Sequence, residues 1–186
     1  MKKIIVQYMT LLFVVTASVV CNTVTHSNDS RDLTPKTGLL NDNQIAFNAK
    51  YIRTTYAGGA ISPFIAVISS KNELEIYCEN YKGLYNLSAR SNVYSDSMIG
   101  FADAVKNYSD EYFTDNFLVI ILIQEGSGSI RHKVERIDEN GNIIVNRLMP
   151  EIGTTDMAAW YIIIELNKYF RLREFRVEFM TFKIGD

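Results

Sequence analysis

The apolar run from Phe117 to Gln124 is the feature that most constrains the fold. It reads Phe-Leu-Val-Ile-Ile-Leu-Ile-Gln, so aliphatic residues occupy successive positions rather than alternate ones. Successive side chains of a strand point to opposite faces, so a segment that is apolar on both faces belongs inside a sheet. We therefore predict that Phe117–Gln124 is the central strand of a sheet.

Further strands are predicted on both sides of this run. An Asn140-Gly141 pair between two β-rich segments is the strongest short-range hairpin signal, because it suits a turn that needs positive φ. The final segment, around Phe175–Phe179, alternates apolar with charged residues and predicts a strand with one solvent-exposed face. The predicted strands are residues 45–56, 64–69, 117–124, 130–138, 143–148 and 158–166, and a last one around Phe175–Phe179.

Two helices are predicted between the second strand and the central one. Ser70 and Glu73 form a capping-box pattern, and Leu74, Tyr77, Cys78 and Tyr81 follow at helical spacing. Gly83 is expected to close this helix. A second set with the same spacing, Phe101, Ala104, Val105 and Tyr108, predicts a shorter helix.

This order of elements predicts an α+β fold: an antiparallel β-sheet with one or two helices packed on one side. The whole chain, with 47% hydrophobic and 22% charged residues, has a globular composition. We predict that residues 45–186 form a single domain, which is large enough to form a core without disulfides.

Residues 1–21 resemble an export signal. Lys2 and Lys3 precede an apolar run from Ile4 to Val20, and Cys21 ends it as in a lipoprotein signal, although such signals usually carry a small residue where Val20 stands. Lipidation at Cys21, cleavage after Ala17 and an uncleaved anchor all remain open. We expect an exported chain that is either membrane-anchored or secreted.

Residues 22–44 lack periodicity and are rich in polar residues, so we predict a tether. Without Lys2 and Lys3, 17 of the 19 basic residues remain against 21 acidic ones, a formal charge of about −4. This charge provides no basic surface for binding nucleic acid. Contact with the membrane is expected through the N-terminal segment alone.

The segment from Glu125 to His132 carries the densest chemistry: Glu125, Ser127, Ser129, Arg131 and His132 around two glycines. Backbone N–H groups of such a segment can bind an anion. It does not match a phosphate-binding loop, because no Gly-Lys-Ser/Thr follows and the next element is a strand. The simpler interpretation is a tight strand connection that needs glycine.

A Ser/His/Asp set can be drawn from Ser127 or Ser129 with His132 and Asp156, which would make the chain a surface hydrolase. The Gly-x-Ser-x-Gly elbow is absent, and three residues along a strand place Ser129 and His132 on opposite faces. We therefore predict no enzyme. We also predict no metal site and no cofactor, since no ligand spacing is recognised, and Cys78 is expected to be a core residue.

The loop Glu151–Asp156 supplies further polar side chains, Glu151 and Asp156 among them. In an antiparallel sheet this loop is expected near residues 125–132, and loops that converge on a rigid sheet commonly form binding sites. The candidate binding residues are thus Glu125, Ser127, Ser129, Arg131, His132, Glu151 and Asp156.

Three segments carry a family resemblance: Tyr108–Val119, Glu125–His132 and Pro150–Trp160. They resemble a group of uncharacterised exported proteins and lipoproteins of Gram-positive bacteria. More distantly, the layout is similar to the C-terminal domain of protease-complex-stabilising subunits, which implies a non-catalytic module that binds and stabilises a partner protein. Our first hypothesis is therefore an extracytoplasmic protein-interaction module with a protein partner at the cell surface. A surface hydrolase and a small-anion binder at the Gly/Ser loop are the alternatives.

Overall fold

The computed structural model describes residues 44–55, 62–85, 87, 99–170 and 174–184, which all belong to one compact unit, Thr34–Asp186. The predictions for the export segment 1–21, for Cys21 and for tether residues 22–43 lie outside the described residues. Among the described residues, no helix combines the length and the apolar character needed to cross a membrane.

The elements follow the predicted order, strands, then helices, then strands, and the α+β fold is confirmed. In the described part they are β1 (Asn48–Thr55), β2 (Phe64–Ile68), α1 (Lys71–Tyr85), α2 (Phe101–Val105), α3 (Tyr112–Asp115), β3 (Asn116–Glu125), β4 (Arg131–Ile137), β5 (Asn142–Met149), β6 (Ala158–Asn167), a 3-10 turn (Lys168–Phe170) and β7 (Arg176–Lys183).

Helix α1 begins as predicted and ends later than predicted. The Glu73 N–H donates to Ser70 Oγ at 3.1 Å, as a capping box requires. Glu73 Oε2 accepts from the N–H of Ser69 at 2.6 Å, one residue before the N-cap. The expected stop at Gly83 was wrong, because the helix continues to Tyr85. Gly83 lies in open space, and a glycine tolerates the helical conformation even though it does not favour it.

The strands form two sheets. One has four strands in the order β1-β6-β3-β2, all antiparallel, and the other has three in the order β4-β5-β7. In the second sheet β4 is antiparallel to β5, whereas β7 runs parallel to β5. The hairpin signal at Asn140-Gly141 is confirmed: Gly141 has φ of 84°, and Asp138 Oδ1 accepts from the N–H of Asn140 at 2.9 Å.

The four-stranded sheet is the middle layer of the domain, which explains why β3 is apolar on both faces. One face packs against the helices, and the other packs against the three-stranded sheet. Alternate β3 residues supply the two cores, Leu118, Ile120 and Leu122 on the helix side and Phe117, Val119, Ile121 and Ile123 on the other.

Two loops cross between the sheets at the same end of the domain. Residues 126–130 lead from β3 to β4, and residues 150–157 lead from β5 to β6. The ends of these strands are register partners, Glu125 with Ala158 and Arg131 with Leu148. The topology therefore brings the two predicted binding loops together.

Candidate functional site

The two crossing loops are joined by direct hydrogen bonds. The N–H of Gly128 donates to the Asp156 carbonyl at 2.7 Å, and the N–H of Thr154 donates to Ser129 Oγ at 3.1 Å. The hydroxyl of Ser127 lies 2.8 Å from that of Ser129 and 3.2 Å from that of Thr154. Each loop thus satisfies polar groups of the other, which holds both in one conformation.

An ion pair between Arg53 and Asp156 links strand β1 to loop 150–157. The hydrogen bond with Thr154 is the main cause that lowers the pKa of Asp156, and the Arg53 charge acts in the same direction. A Cβ atom at Gly128 would lie 2.9 Å from the Asp156 carboxyl carbon and would overlap the pair. Only glycine leaves room for this contact.

Beneath the loops, Glu125, His132 and Arg147 form a buried cluster between the two sheets. Glu125 Oε1 accepts from Arg147 Nε at 2.7 Å and lies 2.8 Å from His132 Nε2, and Arg147 Nη2 binds the other carboxylate oxygen. The side chains of Glu125 and His132 are 3% and 0% exposed, and that of Arg147 is 29% exposed. The cluster therefore joins the last residue of β3 to both strands of the hairpin.

The Glu125 carboxylate remains ionised in this environment. Burial acts to raise its pKa, but the hydrogen bonds and charges of Arg147 and His132 outweigh burial and hold the pKa at about 2. The same hydrogen bond raises the pKa of Arg147.

Trp160 of β6 lines the same end of the interface between the sheets. The Arg131 guanidinium carbon lies 5.2 Å from the centre of the Trp160 ring, and the His132 ring meets it edge-on at 5.6 Å. Arg131 Nη1 also donates to the carbonyls of Gly128 at 2.8 Å and Ile130 at 3.1 Å. Arg131 is thus bound to the loop that precedes it.

Of the seven predicted site residues, Glu151 is exposed, and the other six form hydrogen bonds or ion pairs within the domain. Neither ring nitrogen of His132 is hydrogen bonded to Ser127 or Ser129, since Nε2 lies against Glu125 and Nδ1 has no partner among the described residues. Asp156 is paired with Arg53 rather than with His132. The residues of the hydrolase alternative do not form a hydrogen-bonded triad here.

Loop 150–157 presents its side chains to solvent. Every residue from Glu151 to Met157 is exposed, and the side chains of Ile152 and Met157 are 86% and 51% exposed. A large aliphatic side chain this exposed, on a loop held by hydrogen bonds at Thr154 and Asp156, leaves apolar area available for contact.

Sequence reasoning missed two residues of the site, Arg147 and Arg53. A signal for Arg147 exists: alternation places it on the face of β5 that carries Ile143 and Val145, where a charge needs a buried partner. Trp160 was predicted as core and is core, but its contacts with Arg131 and His132 were not predicted. Arg53 lies 103 residues from Asp156, and no local pattern links them.

Within the described part of the chain, no group of three or more His, Cys, Asp or Glu side chains is placed to hold a metal ion. No family model, curated protein or solved structure matches the chain.

Proposed function

We propose that this chain is a non-catalytic, extracytoplasmic interaction module, held at the cell surface by its N-terminal segment, that binds a partner protein through loops 126–130 and 150–157. The observation that carries the proposal is the 86% exposure of Ile152. Its loop is held in place by the hydrogen bond from the N–H of Thr154 to Ser129 Oγ. A pre-organised loop loses little conformational entropy on binding, and an exposed aliphatic side chain supplies contact area.

The side chains divide into two roles in this proposal. Ser127, Ser129 and Asp156 form bonds between the loops and set their shape. Ile152 and Met157 provide the apolar contact, and the exposed Glu151 provides a charge at its rim. The distant likeness of layout to the C-terminal domain of protease-complex-stabilising subunits implies a function of the same class.

The test is a photo-crosslinking residue placed at position 152 of the full-length chain, in cells that produce the protein naturally. We expect a discrete crosslinked product at position 152. The matched control is position 169, because Tyr169 is 88% exposed but lies in the 3-10 turn after β6, on neither loop.

Burying Ile152 at an interface is worth about 1.5–3 kcal/mol, so Ile152→Ser should weaken binding of the crosslinked partner roughly ten- to hundred-fold. Equal crosslinking at positions 152 and 169, or none at position 152, would contradict the proposal.

A further inference from the structure

The two edge strands of the three-stranded sheet, β4 and β7, differ in how far other residues cover them. On the β4 edge, the Tyr51 hydroxyl accepts from the N–H of Val134 at 2.8 Å, and Ile45 donates its N–H to the carbonyl of Ile137 at 2.9 Å. A bulge between Val134 and Arg136 interrupts the same strand. These are means by which proteins prevent an edge strand from pairing with another chain.

The β7 edge has no such cover among the described residues, where β7 is the last strand of its sheet. The N–H groups of Arg176 and Ile184 donate towards β5, to Gly141 at 3.0 Å and Met149 at 2.8 Å. Backbone groups alternate sides along a strand, so the residues between them with odd numbers point theirs away from β5. They are Val177, Phe179, Thr181 and Lys183.

A free edge of this kind is complementary to one kind of occupant, another extended strand. We propose that residues 175–179, at the start of β7, pair antiparallel with the same residues of a second copy of this chain, about a two-fold axis at Val177. This inference concerns a different surface from the loops and does not rest on the proposed function.

The register follows from symmetry and charge. Residues opposite each other across an antiparallel pair lie on the same face, so a two-fold axis through the pair must coincide with a residue. An axis at Glu178 would oppose two carboxylates, and an axis at Arg176 would oppose two guanidinium groups. Of the axes within β7, the one at Val177 places opposite charges together, since Arg176 of each copy faces Glu178 of the other.

The same register also covers apolar surface. Phe179, which is 37% exposed, would face Phe175 of the other copy on the side of the sheet that carries the core. In the single chain Arg176 pairs with Glu174 at 3.1 Å, but both side chains are 69% exposed. A surface pair of this kind is weak, so Arg176 can exchange it for Glu178 of the second copy.

The test uses two differently tagged full-length copies produced together, and measures how much of one copy is retained with the other. Wild-type copies should be retained together. Two copies of Arg176→Glu, or two of Glu178→Arg, would oppose like charges, and retention should fall about ten-fold. An Arg176→Glu copy mixed with a Glu178→Arg copy restores both ion pairs and should be retained as wild type is.

The mixed pair also shows that both variants fold, and the like-charged pairs control for association through the N-terminal segment. Lys183→Glu in both copies is the matched control, because position 183 lies beyond the paired residues and should leave retention unchanged. The proposal is overturned if wild-type copies are not retained together, if like-charged copies are retained equally well, or if the mixed pair does not recover.

Discussion

Arg147 donates two hydrogen bonds to the Glu125 carboxylate in the buried cluster that both residues form with His132. In Arg147→Met, the guanidinium is removed and an apolar side chain of similar reach remains. Glu125, with its side chain 3% exposed, keeps His132 as a partner but loses both hydrogen bonds from the arginine. An ionised group left underpaired in an interior is strongly destabilising.

The magnitude follows from the Glu125 pKa. It is about 2 in the folded protein against an ordinary value of 4.5, and about 1.4 kcal/mol per pH unit makes this difference worth roughly 3 kcal/mol. Because the folded pKa is depressed, this contribution is fully present above about pH 4.5 and is lost as the pH falls through about 2. Arg147 is the stronger of the two partners, so we expect Arg147→Met to cost about 2–3 kcal/mol at pH 7.

The assay is urea unfolding of the full-length chain, followed by the fluorescence of Trp160, its single tryptophan. The matched control is Lys82→Met, which breaks an ion pair with Glu79 on the surface of α1. Exposed pairs contribute about 0.5 kcal/mol. The cost of Arg147→Met should shrink as the pH is lowered from 4.5 towards 2, because the parent protein then loses the same stabilisation.

Two results would refute this reasoning. One is a cost for Arg147→Met no larger than that for Lys82→Met, and the other is a cost that stays constant as the pH is lowered. The double variant Glu125→Gln/Arg147→Met tests the cause, since it removes the buried charge. It should be more stable than Arg147→Met alone.

Two further predictions concern glycines. Gly128→Ala places a Cβ 2.9 Å from the Asp156 carboxyl carbon. We expect the free energy of unfolding in urea to fall by about 1 kcal/mol and amide exchange in loop 150–157 to become faster. Gly126→Ala is the control, because a Cβ there has nothing within 4 Å and should leave that exchange unchanged. Gly141→Ala forces a side chain onto a φ of 84° and should lower the thermal midpoint through a cost of about 1–2 kcal/mol. Gly83→Ala, in the last turn of α1 where a Cβ would have nothing within 4 Å, should raise that midpoint through a gain of about 0.5 kcal/mol. Equal effects at the two positions would contradict the backbone argument.

Local signals account for what the sequence predicted well. The capping pair Ser70 and Glu73, the hairpin at Asn140-Gly141 and the doubly buried strand Phe117–Gln124 each depend on residues close in sequence, and each is present in the structure. The prediction also placed the two loops together, because an antiparallel arrangement of β3 and β6 requires it.

The division into two sheets was not predicted, because it depends on which strands pair at long range. The local sequence signals of the hairpin of β4 and β5 are the same whether this hairpin extends the sheet of β3 or packs against it as part of a second sheet. The parallel pairing of β5 with β7 likewise joins residues more than thirty positions apart, such as Asn142 and Arg176. The stop expected at Gly83 failed because a glycine permits a helix end without requiring it.

The order of strands in the four-stranded sheet has a consequence for how the chain folds. Among the described strands β1 pairs with β6 alone, and Asn48 is matched to Glu165 across more than a hundred intervening residues. β3 likewise gains its second neighbour only when β6 is in place. Closing such long loops slows folding. A chain truncated before Ala158 would leave β1 without a partner strand, β3 with one unpaired edge and the core exposed, so the four-stranded sheet can form only after β6 has been added.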